Sequence, residues 1–267
     1  MRTSECSLNS ITTRDADVWE VIRLAAGHGF SGVSLWRNLF DDIDPALVVP
    51  ALSDAGLSVT SLCRAGMFPQ SDQKARQARS ADNRRAVDLA HALQAECLVV
   101  VCGPTGDDPA GARRQIFDGL AELLPYARQA GLKLAIEPFH PMMAASRSAI
   151  TSLAEANDLI DALQDPIVGI ALDAYHVWWD VTLDAQIHRT GARLFSVQIG
   201  DWVTPVTNEL SSRGMPGDGC IDLRAFIGAA RRAGFAGLIE IEVLSDHWWA
   251  QPVAAAAAAA AAGVAEL

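Results

Sequence analysis

The chain has 267 residues, half of them hydrophobic, with a formal net charge of −11 and a pI near 4.9. That length buries a large core, either as one α/β barrel or as two small domains. An acidic chain without a basic stretch excludes non-specific affinity for nucleic acid or an anionic membrane, and favours action on small molecules.

Short β-rich runs alternate with helical patterns from end to end. The strands expected are 7–11 (SLNSI), 32–36 (GVSLW), 57–63 (LSVTSLC), 96–103 (ECLVVVCG), 132–139 (LKLAIEPF), 168–176 (VGIALDAYH), 194–202 (LFSVQIGDW) and 237–245 (GLIEIEVLS). Between them lie DADVWEVIRLAAGHG, DPALVVPALSDAG, ADNRRAVDLAHALQA, ARRQIFDGLAELLPYARQAG, SAITSLAEANDLIDALQ, TLDAQIHRTG and DLRAFIGAARRAG, several closed by a glycine just before the next strand. Helical crossovers imply parallel pairing, and runs such as VVV and LAI suit strands covered on both faces. A single (β/α)8 TIM barrel over residues 1–267 is therefore the expected fold; a doubly wound open sheet fits less well, because no GxGxxG follows the first strand. The tail PVAAAAAAAAAGVAEL suits a final helix, alanine being the strongest helix former.

The five cysteines, Cys6, Cys63, Cys97, Cys102 and Cys220, are odd in number and lack CxxC spacing, so buried free thiols in a reducing cytoplasm are expected. The opening MRTSECSLNSITTRDAD lacks a signal-peptide core, and no apolar run approaches the ~20 residues of a membrane span, which again points to the cytoplasm.

In this architecture chemistry gathers where strands end. The fifth ends in Glu137, the sixth in Asp173 with His176 three residues on, the seventh in Gln198 with Asp201, and the eighth carries Glu240 and Glu242. Converging carboxylates repel unless a cation neutralises them, and oxygen donors suit a hard or borderline divalent ion, Mg²⁺ or Mn²⁺. The expected metal ligands are Glu137, Asp173, Gln198 and Glu242; Glu240 shares a side of its strand with Glu242, so either could be the ligand, but Glu242 lies nearer the C-terminal end and Glu240 is expected deeper in the barrel as a partner. Each of these residues alone is more often a salt-bridge or capping group; their register on successive strands is what singles them out. The tryptophans at 178, 179, 202, 248 and 249 follow the same strand ends and could wall a pocket. Loop 203–220, rich in Gly, Pro and Ser, reads as a lid or binding loop, and its Arg213 could reach a substrate oxygen; Arg37 and Arg64 are weaker candidates of the same kind.

IEPFHP, LDAYHVWWD, VQIGDW, RGMPGDGCIDL and IEIEVLSDHWW, with LWRNLF and SLCRAGMFP in the first third, resemble the sugar phosphate isomerase/epimerase group of the xylose isomerase-like TIM barrels. The resemblance implies a divalent metal, Mn²⁺ or Mg²⁺ with Co²⁺ or Zn²⁺ as alternatives, held by Glu137, Asp173, Gln198 and Glu242. Gln198 stands where the family has His, as in hydroxypyruvate isomerase-like members. Glu137 and Glu242 would be the catalytic acid and base, while His176 and Arg213 would contact substrate hydroxyls; Trp36 and His140 complete the substrate-binding candidates. The implied activity is isomerisation or epimerisation of a small sugar, sugar phosphate or keto-polyol through a metal-stabilised enediolate. Dehydration of a keto-inositol starts from the same proton abstraction, and a non-catalytic carbohydrate-binding barrel is the alternative outside the enzymes. A metal-dependent endonuclease would want more imidazole and a basic groove. The WW pairs are compatible with a homo-oligomer.

Overall fold

The computed structural model describes residues 1–267. Eight parallel strands close into a barrel: β1 (Cys6–Asn9), β2 (Gly32–Trp36), β3 (Ser58–Gly66), β4 (Cys97–Val101), β5 (Lys133–Ile136), β6 (Val168–Asp173), β7 (Leu194–Ile199) and β10 (Ile239–Ile241). Neighbours follow chain order, and β10 closes the ring on β1. Between β7 and β10 a small antiparallel pair, β8 (Asp201–Trp202) and β9 (Arg213–Gly214), folds over the mouth. Helices α1 (Val18–Gly27), α2 (Pro45–Asp54), α3 (Gln73–Ala92), α4 (Pro109–Gln129), α5 (Leu153–Leu163), α6 (Ala174–Val177), α7 (Leu183–Thr190), α8 (Leu223–Arg232), α9 (Asp246–Trp249) and α10 (Val253–Glu266) complete the chain. No helix is long and apolar enough to cross a membrane.

Local chemistry starts the helices where the sequence suggests. The side chains of Asp17, Asp72, Ser152 and Asp222 each accept a backbone N–H in the first turn of α1, α3, α5 and α8. The alanine-rich tail is the helix α10, which buries Ala256, Ala257, Ala260 and Val264. Strands alternate in the usual way: Leu98 and Val100 of β4 join the main core with residues of the surrounding helices, whereas Cys97 and Val99 group with Cys63, Ala135 and Ala171 in a separate small-residue cluster.

Three expectations are corrected. The β5 and β10 strands stop at Ile136 and Ile241, three and four residues short of the expected ends at 139 and 245; beyond β5, Pro138 has no N–H to give to the ladder. The 168–176 run splits at Asp173, whose carboxylate caps α6 instead of continuing the strand. Finally, four cysteines are buried free thiols, but Cys220 is exposed.

Gly66 ends β3 at φ +106°, where a Cβ would lie 2.0 Å from the Val101 carbonyl oxygen. Neither backbone can give way without breaking the β3–β4 ladder. Gly66→Ala is therefore expected to destabilise the fold by more than about 2 kcal/mol, read as a lower urea midpoint with an unchanged slope. A wild-type midpoint would show that this close approach is not a constraint.

Candidate active site

The C-terminal ends of β5, β6, β7 and β10 bring Glu137, Asp173, Gln198 and Glu242 to one end of the barrel. Register does much of the positioning: Asp173 pairs with Gln198, and Gln198 pairs with Glu240. Glu137 and Glu242 each sit one residue beyond their strand, with N–H groups still in the ladder, donating to Val100 and Ile199. Both line a cavity of about 170 Å³ walled by Trp36, Phe139 and Trp249.

Asp173 is oriented by its own helix. One oxygen, Oδ1, accepts the Tyr175 N–H at 3.0 Å, which leaves Oδ2 facing inward. The short helix α6 places His176 one turn on, with Nε2 3.5 Å from Asp173 Oδ2 and 3.6 Å from Glu137 Oε1. Phe139 stacks on the His176 ring with centroids 4.0 Å apart. Burial, with help from the Arg213 charge, pushes the His176 pKa well below 6.5, so the ring is neutral.

Arg213 is held among these groups by β9, its N–H donating to the Leu244 carbonyl. Its guanidinium is almost wholly buried and bridges two carboxylates: Nη1 lies 2.7 Å from Asp173 Oδ2 and 3.2 Å from Glu242 Oε2. Nη2 faces His176 Nε2 at 3.3 Å, and the Tyr175 ring lies beneath the guanidinium. A guanidinium has no acceptor, so Nε2 presents its lone pair. Loop 203–220 is pinned behind Arg213 by Asp201, whose carboxylate accepts the N–H groups of Trp202, Gly217 and Ile221.

Glu242 receives a second contact that the sequence did not suggest. Asn9, at the end of β1, donates from Nδ2 to Glu242 Oε1 at 3.0 Å, while its Oδ1 accepts the Trp36 indole N–H at 3.0 Å. Glu240 lies deeper. Its Oε2 accepts from the Gln198 amide and the Ser61 hydroxyl, both at 3.1 Å, so the amide nitrogen of Gln198 is fixed and its Oε1 is left buried without a partner.

The remaining candidates separate. Trp36 walls the cavity; His140 is held in a turn, accepting the Met142 N–H, and packs on Trp202. Trp178 and Tyr175 both pack against Trp202. Arg37 is tied to Asp82 through two bonds, which hold the Asp82 carboxyl at a pKa of about 2. Arg64 lines the cavity, and so does Arg147, which no sequence pattern singled out.

The carboxylates are strongly perturbed. Burial, then the Glu242 and Asp173 charges, raises Glu137 well above 4.5. Burial pushes Glu242 up to about 8 although Arg213 opposes it, and burial also raises Asp173 against the same guanidinium. One guanidinium cannot neutralise three buried carboxylates, so protons or a cation must supply the rest.

A proton held more tightly by the folded chain than by the unfolded one stabilises the fold. This contribution is fully present below pH 4.5 and is lost as the pH rises through about 8. Without divalent ions the wild type is expected to lose stability across that window, and Glu242→Gln to follow a shallower slope in urea denaturation at successive pH values. Identical slopes would contradict the perturbed Glu242.

A divalent ion fits the donors present. One ligand atom each from Glu137, Asp173 and His176 lies within 4.8 Å of the others, and the unpartnered Gln198 oxygen adds a neutral donor nearby in the ladder. Glu242 has both oxygens engaged, by Asn9 and Arg213.

A closed parallel barrel with carboxylates at the strand ends defines a class of (β/α)8 proteins whose site lies at one mouth. The chain belongs to the xylose isomerase-like TIM barrel family, whose model matches residues 22–265. A crystal structure of a Sinorhizobium meliloti 1021 protein is 38% identical with a TM-score of 0.95, covering 99% of this chain and 98% of that one. The IOLI protein, solved with a zinc atom, is 18% identical with a TM-score of 0.85, covering 97% of both chains. Among curated relatives, a 3-dehydroshikimate dehydratase of Pseudomonas aeruginosa is 27% identical over 88% of this chain. An inosose isomerase of Bacillus subtilis is 24% identical over 51% of this chain and 49% of its own. The chain spans only 37% of the dehydratase's length. These relatives are enzymes, and an isomerase or epimerase class is compatible with them.

Proposed function

We propose that this chain removes the proton next to the carbonyl of a small polyhydroxylated ketone and returns it to an adjacent carbon or to the opposite face, as an isomerase or epimerase. The observation that carries the reading is the pair Glu137 and Glu242. Both are buried carboxyls of raised pKa, they come from different staves, and they open on one cavity. Groups poised nearer neutrality transfer protons in either direction at physiological pH.

Glu137, Asp173, Gln198 and Glu242 would hold a divalent ion, Mn²⁺ or Mg²⁺, with His176 as a further donor; the zinc in the IOLI protein supports such a site. When bound, the ion would polarise the substrate carbonyl as a Lewis acid. The chain's own groups do the rest. Glu137 takes the proton, its carboxylate making no hydrogen bond within the protein that would have to be broken first. Arg213 offers its buried, unpartnered Nε–H to the oxygen on which charge develops. Glu242, steadied by Asn9, returns the proton. Trp36, Phe139 and Trp249 keep water from the reacting carbons.

Dehydration is the second reading, favoured by the dehydratase name of the Pseudomonas aeruginosa relative. It begins with the same loss of a proton and ends with a β-hydroxyl leaving as water. Incubating the protein with Mn²⁺ in D₂O against ketoses, inososes and cyclic keto-acids tests both readings by mass and NMR. Deuterium entering the carbon next to a carbonyl, or loss of water from one substrate, is the expected result. No exchange with any of these, in metal-replete folded protein, would overturn both.

A further inference from the structure

Seven arginines are withdrawn from solvent in whole or part, and five of them have partners in the protein. Arg37 and Arg79 pair with Asp82, Arg193 with Asp161, and Arg213 with Asp173 and Glu242, while Arg231 donates to the Phe235 and Gly237 carbonyls. Arg64 and Arg147 are half-buried, and their guanidiniums have no carboxylate or carbonyl partner. The Nε of Arg147 is fully buried with nothing to donate to. Both arginines line the cavity that Glu137 and Glu242 open on. They stand close enough for the charge of Arg147, after burial, to pull the Arg64 pKa down. Two half-dehydrated like charges facing one cavity cost stability unless something anionic is brought between them.

The cavity restricts what that anion can be. Eight of its thirteen lining residues are apolar, with Trp36, Phe139 and Trp249 presenting aromatic surface. Such walls suit the carbon face of a small ring better than an open chain of hydroxyls. No glycine lines it, so the glycine-rich backbone nest that commonly cradles phosphate is missing. Paired guanidinium forks match the planar geometry of a carboxylate.

We infer that the substrate is a carboxylate-bearing cyclic hydroxy-ketone, its carboxylate held by Arg64 and Arg147 while the carbonyl end faces Glu137 and Glu242. The inference rests on the reading of this cavity as the substrate pocket, and narrows the substrate class within it. Neutral sugars would leave both arginines unpaired.

Titration calorimetry of the Mn²⁺-supplied protein with shikimate, myo-inositol and myo-inositol 1-phosphate tests this. All three are hydroxylated six-membered carbocycles, and they carry a carboxylate, no charge and a phosphate respectively. Shikimate is expected to bind at least about tenfold more tightly than myo-inositol and more tightly than the phosphate. Arg64→Met and Arg147→Met, checked for native melting, should each weaken shikimate about tenfold or more while leaving weak myo-inositol binding unchanged. Equal or tighter binding of myo-inositol, or no binding of shikimate, would overturn the inference. So would shikimate affinity that survives both substitutions, and tighter binding of the phosphate would replace the carboxylate with a phosphate. Calorimetry needs no turnover, so arginine-dependent shikimate binding without proton exchange in D₂O would leave this inference standing while the proton-transfer reading failed.

Discussion

Glu137→Gln is expected to abolish solvent deuterium exchange into substrate while the protein melts at or above the wild-type temperature. The carboxylate of Glu137 makes no hydrogen bond in the protein, His176 beside it is neutral, and the charges of Glu242 and Asp173 act on it ahead of the opposing charges of Arg213 and Arg64. Its burial therefore costs stability, and a neutral amide of the same shape relieves that cost. The chemistry loses its base. Removing a positioned general base lowers the rate by about 10²- to 10⁴-fold. Glu242→Gln should lose exchange to a similar degree, but with a different signature, because Glu242 is engaged by Asn9 and Arg213. If Glu137 removes the proton and Glu242 returns it, the second variant retains slow washout of deuterium from labelled substrate while failing to form product. Wild-type exchange in either variant would refute the assigned role.

Arg213→Met is expected to be the most destabilising change at the site. It leaves Asp173 and Glu242 buried without their shared counter-ion, and stranding a buried charge costs about 3 to 5 kcal/mol. The sign of the pH dependence follows from the carboxylates. Without the guanidinium they hold their protons more tightly, so the variant is least impaired in mild acid and most impaired near pH 8, where they must ionise. Added Mn²⁺ should recover much of the loss, since a ligand at about a hundred times its Kd stabilises by roughly 2.7 kcal/mol. Denaturation at pH 6 and pH 8, with and without Mn²⁺, reads all of this. A variant as stable as wild type at pH 8 in chelator would show that the guanidinium is not neutralising the cluster.

Much of this site was legible in the sequence for a reason tied to the fold. In parallel strands of similar length, a polar residue closing an apolar run lands at the same end of the barrel as its counterparts, so Glu137, Asp173, Gln198 and Glu242 could be set side by side from spacing alone. Alternation puts Glu240 and Glu242 on one side of their strand and position along it sets their depth, and Glu240 does lie below, bonded to the Gln198 amide. What lay outside reach was whatever depends on loops crossing the mouth. Arg213 belongs to an eighteen-residue loop whose composition suggested a lid, and its burial follows from the β8–β9 pairing and the Asp201 anchor. Asn9 ends a strand but is uncharged, and its contact with Glu242 spans nearly the whole chain. Arg147 sits in an irregular segment after β5 with no periodicity to mark it, and Arg64 differed from Arg37 only once Asp82 was seen to pair with the latter. The exposed Cys220 belongs to the same long loop.

Manganese titration of the chelator-stripped protein, followed by the EPR signal of the free ion, puts the central claim to its most direct test. One saturable ion per chain is expected, with affinity falling about tenfold or more in Asp173→Asn, whose amide cannot supply the lost charge. Absence of saturable binding at millimolar manganese, or equal affinity in Asp173→Asn, would contradict a shared cation at the mouth of this barrel.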